Sequence, residues 1–567
     1  MERVWLKEYP AGIPPEVDLD EFASLVDVLQ TSCRRFAALP AFSSMGAQIT
    51  YAGLDRESRA FAAWLRQSLG LRTGDRVAIM MPNLLQDPVA MFGALRAGLV
   101  VVNVNPQYTV TELEHQLLDS GAVAIVVLEN FARTLQQVLQ RNPKMQLAVV
   151  TTEVGDMFPV LKEVLTNAVV KYVKKMVPSW TIPGAVEFNA ALRAGHALGL
   201  EDVPLGHADT AFLQYTGGTT GVAKGAMLTH GNMVANLQQL SAWIAPNLLD
   251  GKEIFVCPLP LYHVYALSSS LVFMKIGALT LLVANPRDMH AFIHDLKRHP
   301  FTAIIGVNTL YRALLAAPGF AEVDTRSLKM ANAGGMAVQR VVAERWKKAT
   351  GVPLVEAYGL TETSPGAIAN PLNIEDWTGM IGLPIPSTEA TVLDDADRVL
   401  APNAVGEICL RGPQVMAGYW NLPAETALAF TPDGWLRTGD MGFMDERGWF
   451  KITDRKKDMI IVSGFKVFPN QIEDVVAMHP GVAEVAAIGW ADEHSGEVVK
   501  IVVVRSDAAL TAQALLDHCR QHLTGYKMPR FVEFSADPLP KSSLGKVLRR
   551  QVREASGSAA KAGEPVA

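Results

Sequence analysis

Tyr215-Thr-Gly-Gly-Thr-Thr-Gly-Val-Ala-Lys-Gly225 is the stretch on which the reading of this chain turns. Glycine tolerates positive φ, so Gly217, Gly218 and Gly221 allow successive backbone N–H groups to face one anion. Thr216, Thr219 and Thr220 add hydroxyls, and Lys224 adds a point positive charge. Such a set suits a polyphosphate. A Walker loop is excluded, because no Gly-Lys-Ser/Thr stands at the required offset. Glycine and threonine alone would also allow a flexible surface loop. The flanks argue otherwise: Thr210–Tyr215 reads as a buried strand and Leu228–Trp243 as a helix. A strand, a glycine-rich turn and a helix in that order present phosphates to oriented amides.

Upstream of the loop, helices and strands alternate. Helices are expected at Leu54–Leu69, Pro88–Leu99, Thr111–Ser120 and Phe131–Arg141. Between them lie β-branched strands at Arg76–Met81, Val100–Asn103, Ala122–Leu128 and Leu147–Val150. This pattern argues for parallel sheets covered on both faces. Residues 1–50 read as an extended arm and one helix, Leu25–Ala38. Downstream, the strand Lys329–Ala333 ends in Gly334-Gly335, and Pro353–Ala357 runs into Tyr358-Gly-Leu-Thr-Glu-Thr363. Strand ends of this kind are where open α/β sheets hold ligands. In Pro258-Leu-Pro-Leu-Tyr-His263 the prolines bend His263 toward a cavity, although a lone histidine in apolar surroundings also serves as a core residue. From Ala390 the chain turns to short strands, and Asp454-Arg-Lys-Lys-Asp458 is the best linker candidate. A compact α+β unit of about a hundred residues follows, an ordinary domain size.

The expected fold class is therefore α/β: two doubly wound sheets plus a β-rich subdomain in residues 1–453, and a smaller α+β domain in 454–554. Residues 555–567 are small and polar and read as a disordered tail. A chain of 567 residues exceeds a single core. Its net charge of −6 excludes wholesale nucleic-acid binding. Cys33, Cys257, Cys409 and Cys519 lie too far apart in sequence for a zinc or disulfide framework, which fits a reducing cytoplasm. The polar start through Glu2, Lys7 and Glu8 argues against a secretory signal. The longest apolar run, Ile276–Ala284, is about half of what a spanning helix needs. Leu161–Val177 carries an apolar stripe at helical spacing with Lys171, Lys174 and Lys175 around it. It suits either a packed surface helix or one lying on an anionic membrane.

Three motifs now stand in order: Tyr215–Gly225, Tyr358–Thr363 and Pro540-Lys-Ser-Ser-Leu-Gly-Lys546. Together, from about Leu25 to Arg550, they resemble the adenylate-forming superfamily of acyl-CoA synthetases, luciferases and peptide-synthetase adenylation domains. The run Ile452-Thr-Asp-Arg-Lys-Lys-Asp-Met-Ile-Ile-Val-Ser-Gly-Phe-Lys-Val-Phe-Pro-Asn470 is similar to that of bacterial long-chain fatty-acid–CoA ligases, as are Asn285-Pro-Arg-Asp288 and Gly525-Tyr-Lys-Met-Pro529.

The resemblance implies a reaction and a set of roles. A fatty acid attacks the α-phosphorus of ATP, and the thiol of coenzyme A then takes the acyl group, feeding fatty-acid degradation. Lys546 would neutralise the meeting anions, Glu362 would hold Mg²⁺ and Thr361 would contact the α-phosphate. Thr216, Gly217, Gly218, Thr219, Thr220 and Lys224, with Gly221 in the same turn, would cradle the outgoing phosphates. Tyr358, followed by Gly359, would stack on adenine with Gly335 nearby, and Asp440 and Arg455 would hold the ribose. His263 would line the carboxylate end of the acid. Asp454 would be the hinge of a mobile C-terminal domain, and Gly464 would approach the pantetheine arm after the swing. Tyr265–Leu271, Val307–Leu310 and Ala331–Met336 are the expected acyl walls, with Leu267 where some relatives carry a gating tryptophan. A homodimer follows by analogy only, whereas contact with the inner membrane is suggested by the Leu161–Val177 stripe and by the insolubility of long acyl substrates. Medium-chain or aryl acid ligases, an acyl-AMP ligase loading a carrier protein, and a non-enzymatic membrane-binding scaffold remain as alternatives.

Overall fold

In the computed structural model, residues 2–216, 223–463, 465–492, 495–542 and 545–558 are described. Two large sheets form most of the chain. The eight-stranded sheet runs, edge to edge, Gly418–Tyr419, Lys224–Thr229, Thr210–Thr216, Val100–Asn103, Arg76–Met80, Ala124–Leu128, Ala148–Thr152 and Val186–Glu187. Its strands from Thr210–Thr216 to Val186–Glu187 pair in parallel. The nine-stranded sheet is centred on the parallel strands Ile254–Cys257, Ala303–Gly306, Met330–Ala333 and Leu354–Gly359. Ile254–Cys257 and Ala303–Gly306 are short apolar runs, as burial on both faces demands, whereas Met330–Ala333 and Leu354–Gly359 include Asn332 and Glu356. One hydrophobic core joins elements of both sheets, with Phe61, Phe92, Phe212 and Phe255 fully buried in it. A four-stranded antiparallel sheet, Glu389–Leu393, Gly406–Arg411, Leu436–Met444 and Phe450–Arg455, is the β-rich part. Beyond it a separate five-stranded sheet and its helices enclose their own core around Ile460, Ile472, Ile501 and Leu515. The α/β class with a smaller second domain is thus observed.

Four local expectations change. The glycine-rich stretch does not lead into a helix. It connects the antiparallel strands Thr210–Thr216 and Lys224–Thr229, with Thr216 opposite Lys224, and the helix starts only at His230. The apolar residues of Lys224–Thr229 pair with the buried neighbouring strand before any helical period sets in, and Thr229 caps the helix through the Asn232 N–H. Residues 217–222, hence Gly217, Gly218, Thr219, Thr220 and Gly221, lie outside the described residues, as does Gly464. The supposed N-terminal arm also contains a hairpin, Pro40–Ser44 and Ala47–Thr50, docked on the nine-stranded sheet. Met45 and Gly46 both have positive φ, the turn a two-residue hairpin requires. The stretch at Leu161–Val177 is a helix, Val160–Ala168, followed by a wider π-type turn, Val169–Val173. Finally, the last helix spans Arg549–Ser558, past Glu554, where a disordered tail was expected.

Close helix packing in the first sheet depends on small residues. Gly195 on the helix Phe188–His196 faces Tyr51–Gln67, and a Cβ there would lie 2.0 Å from the Ala60 carbonyl oxygen. Gly195→Ala should cost about 1–3 kcal/mol by overpacking, read as a lower melting temperature by calorimetry.

Candidate active site

A cavity of about 540 Å³ opens at the carboxyl ends of the central strands of the nine-stranded sheet. Its wall brings together Thr216, Lys224, His263, Gly335, Tyr358, Gly359, Thr361, Glu362, Arg455 and Lys546. These residues span 330 positions of the chain, from 216 to 546. Asp440 stands behind the wall, almost fully buried, accepting the Tyr358 hydroxyl at 2.7 Å and pairing with Arg455 Nε at 2.9 Å.

Each group is delivered by a local device. The strand Leu354–Gly359 presents Tyr358 at its end, and a Cβ on Gly359 would lie 1.8 Å from the Pro365 carbonyl oxygen. Only glycine fits that return of the backbone. Thr361–Thr363 is a single 3₁₀ turn that puts Glu362 on the wall, where it accepts the Tyr419 hydroxyl at 2.7 Å. His263 caps the helix Val264–Lys275: its Nδ1 accepts the Tyr265 N–H at 3.3 Å, which leaves the proton on Nε2. Burial pushes this imidazole down to about 4, so it enters the site as a neutral donor at pH 7.

Lys546 comes from the other domain. A turn around Gly545 (φ +81°) brings it in, with the Lys546 N–H on Ser542 Oγ at 3.2 Å. Burial, with Arg455 and Arg549 nearby, lowers its ammonium to about 8, while Asp440 and Asp458 oppose the shift. Lys224 is held in an ion pair with Glu425 and lies 5.2 Å from the centre of the Tyr419 ring. Tyr419, Glu425 and Lys457 are site residues that the sequence alone did not single out. Gly418-Tyr-Trp420 carries no periodicity or glycine pattern, and its place on the wall arises from the pairing of Gly418–Tyr419 with Lys224–Thr229.

Part of the cavity wall is apolar, formed by Leu240, Trp243, Ile244, Val272, Phe273 and Leu372. Of the expected acyl walls, Tyr265, Ser268, Ser269, Asn332, Gly334 and Gly335 line the cavity, whereas none of Val307–Leu310 does. Leu267 is buried in the core and does not reach the cavity. Lysines and an arginine on the wall, with one carboxylate and a tyrosine, suit a polyanion, and the apolar lining suits an uncharged tail.

The sequence from 29 to 420 matches the model of the AMP-binding enzyme, and 471–546 matches the AMP-binding enzyme C-terminal domain. The chain belongs to the AMP-binding enzyme family. It is 54% identical over 555 residues to the long-chain-fatty-acid–CoA ligase of Escherichia coli O157:H7, covering 98% of each chain. It is 36% identical to the ligase of the same name from Bacillus subtilis strain 168, again over 98% of each. Among solved structures, ATP-bound MatB from Rhodopseudomonas palustris superposes with a TM-score of 0.81 at 28% identity, over 94% of this chain and all of that one. The two family regions of this AMP-binding enzyme are the two that meet at the cavity: the first supplies Glu362 and His263, the second Lys546.

A lysine lowered to about 8 in the folded state binds fewer protons than in the unfolded chain, between about 8 and its ordinary value near 10.5. Folding stability from this group therefore rises with pH across that window and is smallest below about 8. Labelling of Lys546 by an amine-selective acylating reagent, followed by mass spectrometry, should titrate with a midpoint about two pH units below that of exposed lysines.

Proposed function

We propose that the protein is an AMP-forming long-chain fatty acid–CoA ligase. The observation that carries this reading is the meeting of Lys546, Glu362 and His263 on the wall of one cavity that also carries a large apolar lining. The names of its relatives in Escherichia coli and Bacillus subtilis support it. A carboxylate oxygen of the fatty acid attacks the α-phosphorus of ATP, and pyrophosphate leaves. The thiol sulfur of coenzyme A then attacks the acyl carbon, AMP leaves with the bonding electron pair, and the thiol proton passes to solvent.

Both anions carry charge into the same space, so the first step needs cations placed in advance. Lys546 and Lys224 serve there, with Thr361 on the α-phosphate and Thr216, Gly217, Gly218, Thr219, Thr220 and Gly221 around the leaving phosphates. Neutral His263 donates from Nε2 to the acid without adding charge. Tyr358, Gly359 and Gly335 make the adenine wall, while Arg455 faces the ribose with Asp440 behind it. Glu362 is a single carboxylate steadied by Tyr419, and no cluster of three metal-binding side chains occurs among the described residues. One carboxylate with phosphate oxygens and waters is the donor set Mg²⁺ takes, so the site fits that ion. Bound there, Mg²⁺ would neutralise phosphate charge. Residues 1–453 form the adenylating part and 454–554 the mobile part, which swings about Asp454 and brings Gly464 toward the pantetheine arm.

The measurement is AMP release with acids of increasing chain length, with and without coenzyme A. CoA-dependent turnover should peak at long-chain acids, and Lys546→Ala should cut adenylation by roughly a hundredfold or more, in the range of losing a preorganised charge. Thioester only from aryl or short acids, or acyl-AMP without thioester, overturns the reading.

The same proposal includes docking on the cytoplasmic face of an anionic membrane, which holds such acids. Val160, Leu161, Val164, Leu165, Tyr172, Val173 and Met176 are all more than half exposed, beside the exposed Lys174 and Lys175. An apolar face rimmed by lysines is complementary to anionic lipid. No helix among the described residues is long and apolar enough to cross a membrane. In flotation the protein should rise with anionic liposomes and lose that binding on Leu161→Gln with Leu165→Gln. Failure to float, together with a homodimer that the same double substitution dissociates, assigns the face to a second copy instead.

A further inference from the structure

Arg549 lies three residues beyond Lys546 and does not face the cavity. Its side chain is 13% exposed and surrounded by acceptors. Nε and Nη2 donate to the two Glu473 oxygens at 2.8 and 2.6 Å. Nη1 donates to Asp454 Oδ1 at 3.0 Å and to Asp458 Oδ2 at 3.3 Å, and Nη2 also reaches Asn470 Oδ1. Asp454 is the junction. Its backbone belongs to the strand Phe450–Arg455 of the four-stranded sheet, opposite Met441, and its side chain is fully buried. Oδ2 of the same carboxylate accepts the Asn470 N–H at 2.7 Å, and Asn470 Nδ2 donates to the Thr453 carbonyl at 3.3 Å. A carboxylate anchored in one lobe thus takes hydrogen bonds from two groups of the other.

We propose that Arg549 is a positioning residue whose ion pair with Asp454 latches the C-terminal lobe in the pose that holds Lys546 in the cavity. The inference rests on the two-step reading above. Three carboxylates, Asp454, Asp458 and Glu473, share this one guanidinium. Without it, buried negative charges face one another unpaired, and the lobe relaxes by moving apart from the strand. Guanidinium suits the post because its rigid fork serves several carboxylates at once, which an ammonium cannot. Two other contacts belong to the same pose. Arg312 Nη1 donates to the Ala483 carbonyl at 2.8 Å, and a Cβ on Gly545 would lie 2.6 Å from Thr309 Oγ1. Neither involves a charge pair; Lys456, next to the junction, pairs with Asp395 and Glu407, but at 42% exposure it is far less buried than Arg549. A pose that serves the first half-reaction alone predicts an asymmetric defect.

The test separates the two halves in the full-length enzyme. Fatty-acid-dependent ATP–pyrophosphate exchange reads adenylation, and thioester formation from supplied acyl-adenylate and coenzyme A reads the second half. Arg549→Met should lower exchange on the order of tenfold or more while thioester formation stays within about twofold. Arg549→Lys should recover part of the exchange, since charge returns without the fork. Equal loss of both halves marks a merely structural residue, and unchanged exchange marks an idle one; either overturns the latch. Should Arg549→Met fail to fold, Glu473→Gln weakens the paired carboxylate that orients the guanidinium, at constant size, and is judged by the same two assays and the same criteria. Wild-type protein that exchanges with no fatty acid refutes the proposed function rather than the latch.

Discussion

Positive charge held where burial opposes it is the constraint on which the site depends. Lys546 sits among Arg455 and Arg549, and desolvation lowers its ammonium to about 8. The fold offsets this with Asp440 and Asp458, and Asp440 is itself fixed by Tyr358 and Arg455. Cations gathered without anions repel one another and are costly to desolvate; with too many anions they are already neutralised. The arrangement keeps a small excess of positive charge facing the cavity.

The N-terminal lobe shows the same economy at Lys224. Its charge pairs with Glu425 and lies over the Tyr419 ring, while the hydroxyl of that tyrosine holds Glu362. One aromatic side chain therefore touches a cation and a carboxylate expected on the same ligand. This coupling runs through the short pairing of Gly418–Tyr419 with Lys224–Thr229, two segments nearly two hundred residues apart. Nothing in the local sequence of either segment announces it.

Close backbone approaches were readable in part. Glycines at 335 and 359 stand at strand ends, where the sequence already pointed to ligands, and Gly359 has no room for a Cβ. The strand Lys224–Thr229 is not legible locally: the sequence places Lys224 and Gly225 in the glycine-rich turn and Leu228 at the start of a helix, because so short a run fits either period. The tip of the Pro40–Thr50 hairpin was missed for a related reason: only Gly46 signals it, since Met45 takes positive φ against its usual preference. The resemblance sets Leu267 where a gate stands in relatives, yet its side chain packs into the core, and the helix meets the cavity through Ser268, Ser269, Val272 and Phe273 instead.

The amino-acid order by itself determined the α/β class, the sites of the glycine-rich turn and of Tyr358–Thr363, and the family, because those depend on local periodicity and on motifs read along the chain. Whether the apolar stripe of Leu161–Val177 packs inward or faces solvent was undetermined, since a helical period states that a face exists and not what covers it. Tertiary structure left that face bare. It also decided the neighbours of Lys546, the ionisation of His263 and the bonds of Arg549. Those are matters of desolvation and through-space charge, set by residues that adjoin only after the chain has folded.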